Sequence, residues 1–167
     1  MPTSRVAYPR ATAGFDEAGN ELFRVISLWV IMDKTTRAMI RPDKSGVDVL
    51  GTVQGSELKA PAGLPAGDFE NRQLRSVCFS DLDVNGHMNN TRYLDWICDL
   101  LPADFHKEHP IRAFTVCYMS EALEGQQLQL SWSEGETFRV DGDLSQTYVS
   151  AGHTRVFSAQ VEFYSVP

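Results

Sequence analysis

"NNTRYLDWICDLLP", residues 89–102, is the stretch that decides the fold. Tyr93, Trp96, Ile97, Leu100 and Leu101 fall at i, i+3, i+4, i+7 and i+8, which makes one apolar stripe on a helix. Arg92, Asp95 and Asp99 fall on the opposite side. Asn89 or Asn90 can cap the start, because a short side-chain oxygen accepts one of the first free N–H groups. Pro102 ends the run. The spacing predicts one long helix, and the residues around it predict what wraps it.

Upstream, "LRSVCFSDLDV" (74–84) reads as a strand running toward the helix. Downstream, past a polar loop, four strands are expected: "IRAFTVCYMSEAL" (111–123), "QQLQLSWSE" (126–134), "ETFRVDG" (136–142) with a continuation in "QTYVSA" (146–151), and "TRVFSAQVEFYSV" (154–166). Gly125, Gly135, Gly142 and Gly152 punctuate them at hairpin-like intervals. A single helix cannot cover both faces of a parallel sheet, but one curved antiparallel sheet can wrap it. The class is therefore α+β, with the helix inside the sheet.

The first part of the chain differs in texture. "ELFRVISLWVIMD" (21–33) is dense in β-branched and aromatic residues and reads as a strand. "DEAGN" before it is a turn, and "VAYPRATAGF" (6–15) is a hairpin partner that Pro9 confines to a sheet edge. Around residues 42–70, Pro42, Pro61, Pro65 and several glycines break any period, as in a linker.

Composition bounds the function. The 167 residues are 43% hydrophobic and 22% charged, an ordinary globular balance. The net charge of −7 argues against a nucleic-acid binder. Residues 1–48 carry a net +1 and residues 49–167 a net −8. Lys34, Arg37, Arg41 and Lys44 form a basic patch, read first as a solvated turn and second as a surface for an acidic partner. No leader-like or membrane-length apolar run is seen. Cys78, Cys98 and Cys117 are odd in number and lack a CxxC pair, which suits reduced thiols and a cytoplasmic location.

"DLDVNGHMNN" (81–90) carries the chemistry. In an extended segment Asp83, Asn85 and His87 project to one side, with Leu82 and Val84 turned into the core. The helix that follows directs its free N–H groups and positive dipole end into the same space. His87 can move a proton near neutral pH, Asn85 can donate to a carbonyl oxygen, and helix N–H groups can hold an oxyanion. Asp83 can orient a neighbour or water. The bland alternative, a turn and cap alone, is the commoner meaning of an Asx-rich stretch before a helix. One His beside one Asp is too few ligands for a metal, so none is expected. His106, His109 and His153 read as solvent-facing. Cys78 and Cys117 read as buried hydrophobes and Cys98 as helix packing. Trp29, Trp96 and Trp132 read as core or acyl-tunnel lining.

"SDLDVNGHMNNTRYLDWICD" closely resembles the signature of the acyl-acyl carrier protein (acyl-ACP) thioesterase family. Asp83, Asn85, His87, Asn89, Asn90, Tyr93 and Trp96 stand at its motif positions. "FTVCYMSEAL" resembles a second family block, with Thr115, Tyr118 and Glu121 matching, and "DEAGNELFRVISLWVIMDKTTRAMIRP" resembles the end of the family's first domain. The resemblance implies tandem hotdog folds, each a helix wrapped by an antiparallel sheet. Residues 1–47 are then strands of a first, incomplete hotdog, 48–70 a linker, and 71–167 a complete one. The resemblance also implies hydrolysis of fatty acyl-ACP to free fatty acid without a cofactor. Acyl carrier protein is the expected partner, met through a basic patch near residues 34–44.

In the reaction so implied, Glu121 helps activate water, His87 and Asn85 hold the thioester, and Asp83 orients Asn85 or the substrate. Asn89, Asn90, Tyr93 and Trp96 are the implied substrate-binding residues. Ala122 stands where the family carries Cys, which removes a thiol nucleophile from that position. Two other readings remain open, an acyl-CoA thioesterase of the hotdog class and a non-catalytic acyl-binding module. The apolar set Phe23, Val25, Ile26, Leu28, Trp29, Val30 and Ile31 needs cover, so a homo-oligomer is expected.

Overall fold

The computed structural model describes residues 7–36, 38–47, 63–65, 67, 69–135, 137–145 and 154–164. Most of the expected linker, Arg37, Gly152, His153 and the "QTYVSA" continuation lie outside the described residues. The chain divides into two compact units, Met1–Ala62 and Gly63–Pro167.

In the first unit, strands β1 (Tyr8–Phe15) and β2 (Glu21–Trp29) form an antiparallel hairpin with Tyr8 opposite Trp29 and Gly14 opposite Phe23. Pro9 sits in β1, where a two-stranded sheet leaves an edge free of ladder demands, as its ring requires. The Asp16 carboxylate accepts from the Asn20 backbone N–H at 2.7 Å and closes the turn. The strand expected over 21–33 is interrupted at Val30. A second small hairpin then pairs β3 (Ile31–Met32) with β4 (Met39–Ile40). Phe23, Val25, Leu28, Trp29 and Val30 are exposed, which corrects the reading of Trp29 as core. A lone two-stranded sheet has no layer of its own to cover these side chains.

The second unit holds β5 (Asn71–Ser76), helix α1 (Asn90–Cys98), helix α2 (Ala103–Glu108), β6 (Ile111–Tyr118), β7 (Gln127–Ser133), β8 (Thr137–Leu144) and β9 (Arg155–Phe163). The strands make one antiparallel sheet in the order β5-β7-β8-β9-β6. The stripe on α1 meets the sheet as the sequence spacing requires. Tyr93, Trp96 and Ile97 are buried in one cluster with Leu128 and Leu130 of β7, Phe138 and Val140 of β8, and Phe157, Ala159 and Val161 of β9. The Tyr93 ring meets Phe157 edge-on at 5.0 Å. A helix laid on an antiparallel sheet in this way is the expected hotdog.

Several local expectations are revised. The helix ends at Cys98 with Asp99 as its cap, and Leu100 and Leu101 continue the stripe from a turn. Pro102 caps the start of α2, which occupies the expected polar loop. Phe105 of α2 packs edge-on against Phe163 at 5.1 Å. His106 and His109 are half-buried on this helix, bonded to the Cys98 and Phe105 carbonyls at 2.9 and 3.1 Å, so they are not simply solvent-facing. Gly142 marks no turn. It lies inside β8, opposite Phe157, where an added Cβ would stand 2.1 Å from the Phe157 ring.

Candidate active site

The motif begins where β5 stops. A 3-10 turn at Phe79–Asp81 follows the strand, and the Asp81 carboxylate closes back on its start by accepting from Cys78 N at 2.9 Å. Cys78 is thereby placed at the surface, not in the core.

Residues 83–87 are not extended. Asp83 N donates to the His87 carbonyl at 2.8 Å and Gly86 N to the Asp83 carbonyl at 3.1 Å, which closes a tight turn. Gly86 has φ +77, a conformation that residues with a Cβ rarely adopt. The flanking Leu82 and Met88 pair as an antiparallel bridge. The alternation that reads as one face of a strand is instead the rhythm of a hairpin loop. Val84 stands at its tip, 102% exposed, so the expectation that it turns into the core is corrected; Leu82 does pack on the core.

The turn still gathers the polar residues, because Asp83 folds it around its own carboxylate. Oδ1 accepts from Asn85 N at 2.8 Å and from His87 N at 3.3 Å, and Oδ2 accepts from the Asn85 side-chain amide at 3.2 Å. Partial burial pushes the Asp83 pKa up, but the donors of Asn85 and His87 together outweigh it and hold the carboxyl below its ordinary value. Asn85 is thus oriented by Asp83 and keeps a second amide hydrogen.

Beyond the turn, the backbone of His87 bridges to Leu123, and Met88 N donates to the Ala122 carbonyl at 2.8 Å. These contacts lay the loop after β6 beside the motif. Met119 N and Ser120 N also bond the Val156 carbonyl of β9, at 2.8 and 3.2 Å. The result is that Glu121 Oε1 stands 3.4 Å from His87 Nδ1, with side-chain exposures of 49% and 27%. That distance is within ion-pair range and longer than an ordinary hydrogen bond.

The other motif residues split by role. Asn89 caps α1, its Oδ1 accepting from Thr91 N at 3.0 Å, and Asn90 presents its carbonyl to the Tyr118 hydroxyl at 2.9 Å. Tyr93 is buried in the core. Burial first, then the neighbouring Tyr118 and Glu121, push its phenol far above the ordinary value, against a backbone hydrogen bond from Ala122. Trp96 lies one turn further along the core stripe, with the Arg75 guanidinium 4.6 Å over its ring. Asp83, Asn85 and His87 therefore share one turn and Glu121 meets His87, with Tyr93 close to Glu121, whereas Asn89 caps the helix and Trp96 packs in the core.

Among the described residues no cluster of three or more His, Cys, Asp or Glu side chains could hold a metal ion. Ala122 is fully buried in the core cluster. Burial first, then the charges of Asp95 and Asp99, raise the Cys98 thiol, the opposite of what a nucleophile needs. Two contributors escaped sequence reasoning as site residues. The Gln126 side chain accepts from Leu123 N at 2.8 Å and shapes the Glu121 loop, and Tyr118 ties that loop's strand to α1. Neither has a periodic signal, although Tyr118 stands in the second matched block.

Comparison with known proteins gives a consistent result. The family profile of the acyl-ACP thioesterase C-terminal domain matches residues 66–162. A chloroplastic palmitoyl-acyl carrier protein thioesterase of Gossypium hirsutum is 31% identical over 124 residues, covering 68% of this chain and 29% of the relative. A chloroplastic dodecanoyl-[acyl-carrier-protein] hydrolase of Umbellularia californica is 35% identical over 123 residues, covering 68% of this chain and 32% of the relative. The chain thus spans about a third of the length of these curated relatives. Among solved structures, an acyl-ACP thioesterase from Bacteroides thetaiotaomicron superposes with a TM-score of 0.82 at 24% identity, covering 98% of this chain and 65% of the other. The 12:0-ACP thioesterase from Umbellularia californica gives 0.71 at 24%, covering 98% and 64%. At these identities the two structures bear on the fold alone.

Proposed function

This chain belongs to the acyl-ACP thioesterase family, and on that premise we propose that it hydrolyses fatty acyl thioesters of acyl carrier protein, releasing free fatty acid and the carrier's thiol. One observation carries the reading: His87 and Glu121, from two separate motif blocks, stand 3.4 Å apart. Glu121 takes a proton from water, whose oxygen attacks the thioester carbonyl carbon. The oxyanion so formed is held by the free amide hydrogen of Asn85. Collapse breaks the C–S bond, and the thiolate leaves with a proton relayed through His87. Asp83 contributes by orienting Asn85. The chemistry needs no cofactor.

Acyl carrier protein is the partner in this reading, a homo-oligomer the assembly, and the cytoplasm the location; fractionation of cells making the tagged chain tests the last, since the relatives above are named chloroplastic. The deciding experiment offers the purified chain a series of acyl-ACPs beside the matching acyl-CoAs, with fatty-acid binding followed by tryptophan fluorescence. Turnover of acyl-ACP that drops ~10²–10⁴-fold in His87→Ala supports the proposal. Preference for acyl-CoA replaces it with the CoA thioesterase reading, and binding without turnover replaces it with an acyl-binding module.

A further inference from the structure

Tyr118 is the last residue of β6, three residues before Glu121. Its hydroxyl donates to the Asn90 carbonyl at 2.9 Å, three residues beyond His87. Its ring lies edge-on to Tyr93, centroids 5.5 Å apart. We propose that Tyr118 is a positioning residue that sets Glu121 opposite His87 by tying the end of β6 to the first turn of α1.

The loop that carries Glu121 is held from three sides. Met119 and Ser120 hang on Val156 of β9, and the Ala122 carbonyl takes the Met88 amide. Those bonds are made by backbone groups, which almost any sequence supplies. The third side is the helix, reached by two phenols: Tyr93 takes a backbone hydrogen bond from Ala122, and the Tyr118 hydroxyl donates to Asn90. The Tyr118 bond is the one that fixes how far the β6 end itself stands from α1, the element that His87 leads into. A separation of 3.4 Å has little margin, because the interaction weakens steeply as the pair opens. The Asn90 carbonyl sits in the first turn of α1 and has a helical partner as well, so losing the phenol does not leave it orphaned. Tyr118 therefore acts through Glu121 and His87, and it need not touch substrate. The effect on rate rests on the thioesterase reading; the geometric claim does not.

Tyr118→Phe tests it, since the variant keeps the ring and its contact with Tyr93 and removes the donor. Three readings are taken on wild type and variant: acyl-ACP kinetics across pH, thermal unfolding, and the imidazole 15N signals of His87, assigned by their loss in His87→Gln. The expected result is kcat lowered about tenfold with KM within about twofold, because misplacement of reacting groups acts on the chemical step. The pH–rate profile should change shape, and the His87 signals should be displaced while the melting temperature holds. Unchanged His87 signals overturn the proposal, whether the rate is preserved or falls together with stability. If wild type hydrolyses no acyl-ACP, the thioesterase reading fails on its own, and the His87 signals still decide the role of Tyr118.

Discussion

Gly142→Ala should destabilise the second unit by an amount the packing sets. The glycine lies in β8 opposite Phe157, and an added Cβ would stand 2.1 Å from Cε1 and 2.6 Å from Cδ1 of that ring. Contacts under 3.0 Å force movement, and this ring cannot swing into solvent: it is fully buried and meets Tyr93 edge-on at 5.0 Å. Overpacking a filled core by one methyl group costs about 1–3 kcal/mol. Replacing glycine by alanine within a strand returns roughly 0.5–1 kcal/mol of backbone entropy. The net expectation is a loss of about 1–2 kcal/mol, which in a unit of this size lowers the melting temperature by roughly 5–10 °C. Urea unfolding should move its midpoint without changing its slope. Phe157→Leu makes room, so in a double-mutant cycle the second substitution should cost less in the alanine background than in wild type. A melting temperature within about 1 °C of wild type, or additive effects in the cycle, would refute the account, since two residues in such close contact must couple.

Three further outcomes follow from the site. Glu121→Gln should depress turnover and spare fatty-acid binding, because the amide keeps the size and loses the basic oxygen; equal losses, measured by kinetics and fluorescence titration, would point to a structural role. The Asp83 carboxyl has a folded pKa below its ordinary value, so its stabilising contribution is present above the ordinary carboxylate range and is lost as pH falls through the folded value. Asp83→Asn should therefore show a shallower loss of stability than wild type on acidification, and identical acid profiles in thermal melts would contradict the bonds drawn around it. Iodoacetamide should label the exposed Cys78 first and leave most activity, and combined replacement of Cys78, Cys98 and Cys117 should do the same apart from packing losses. Abolished activity in a well-folded triple variant would bring a thiol nucleophile back.

The sequence made the scaffold legible where a period existed. The stripe of Tyr93, Trp96 and Ile97 and the alternation of Leu128, Leu130 and Trp132 each report a face that burial enforces, so helix and sheet could be read directly. The motif turn could not. Period-two spacing of Asp83, Asn85 and His87 fits a strand and a hairpin loop alike, and the decision lies in bonds that Asp83 makes to its own backbone. Composition around Cys78 is apolar, yet the 3-10 turn exposes it, because the chain must leave the sheet there. Gly142 misled in the opposite sense. A glycine reads as punctuation, while here it makes way for a ring from the neighbouring strand. The pairing of His87 with Glu121 had no local signal at all, since 34 positions separate them and only the resemblance joined the two blocks.

The turn over residues 83–87 makes these bonds from its own atoms, whereas Glu121 is carried to His87 by a loop that hangs on β9, the strand that pairs with β6. In loop-closure terms, joining positions 34 apart costs about 2 kcal/mol more than closing five. A nascent or partly melted chain therefore presents its imidazole before its carboxylate partner arrives. The ability to turn over substrate then becomes a late reporter of folding, one that marks completion of the sheet, whereas the local bonds of the turn report an earlier event.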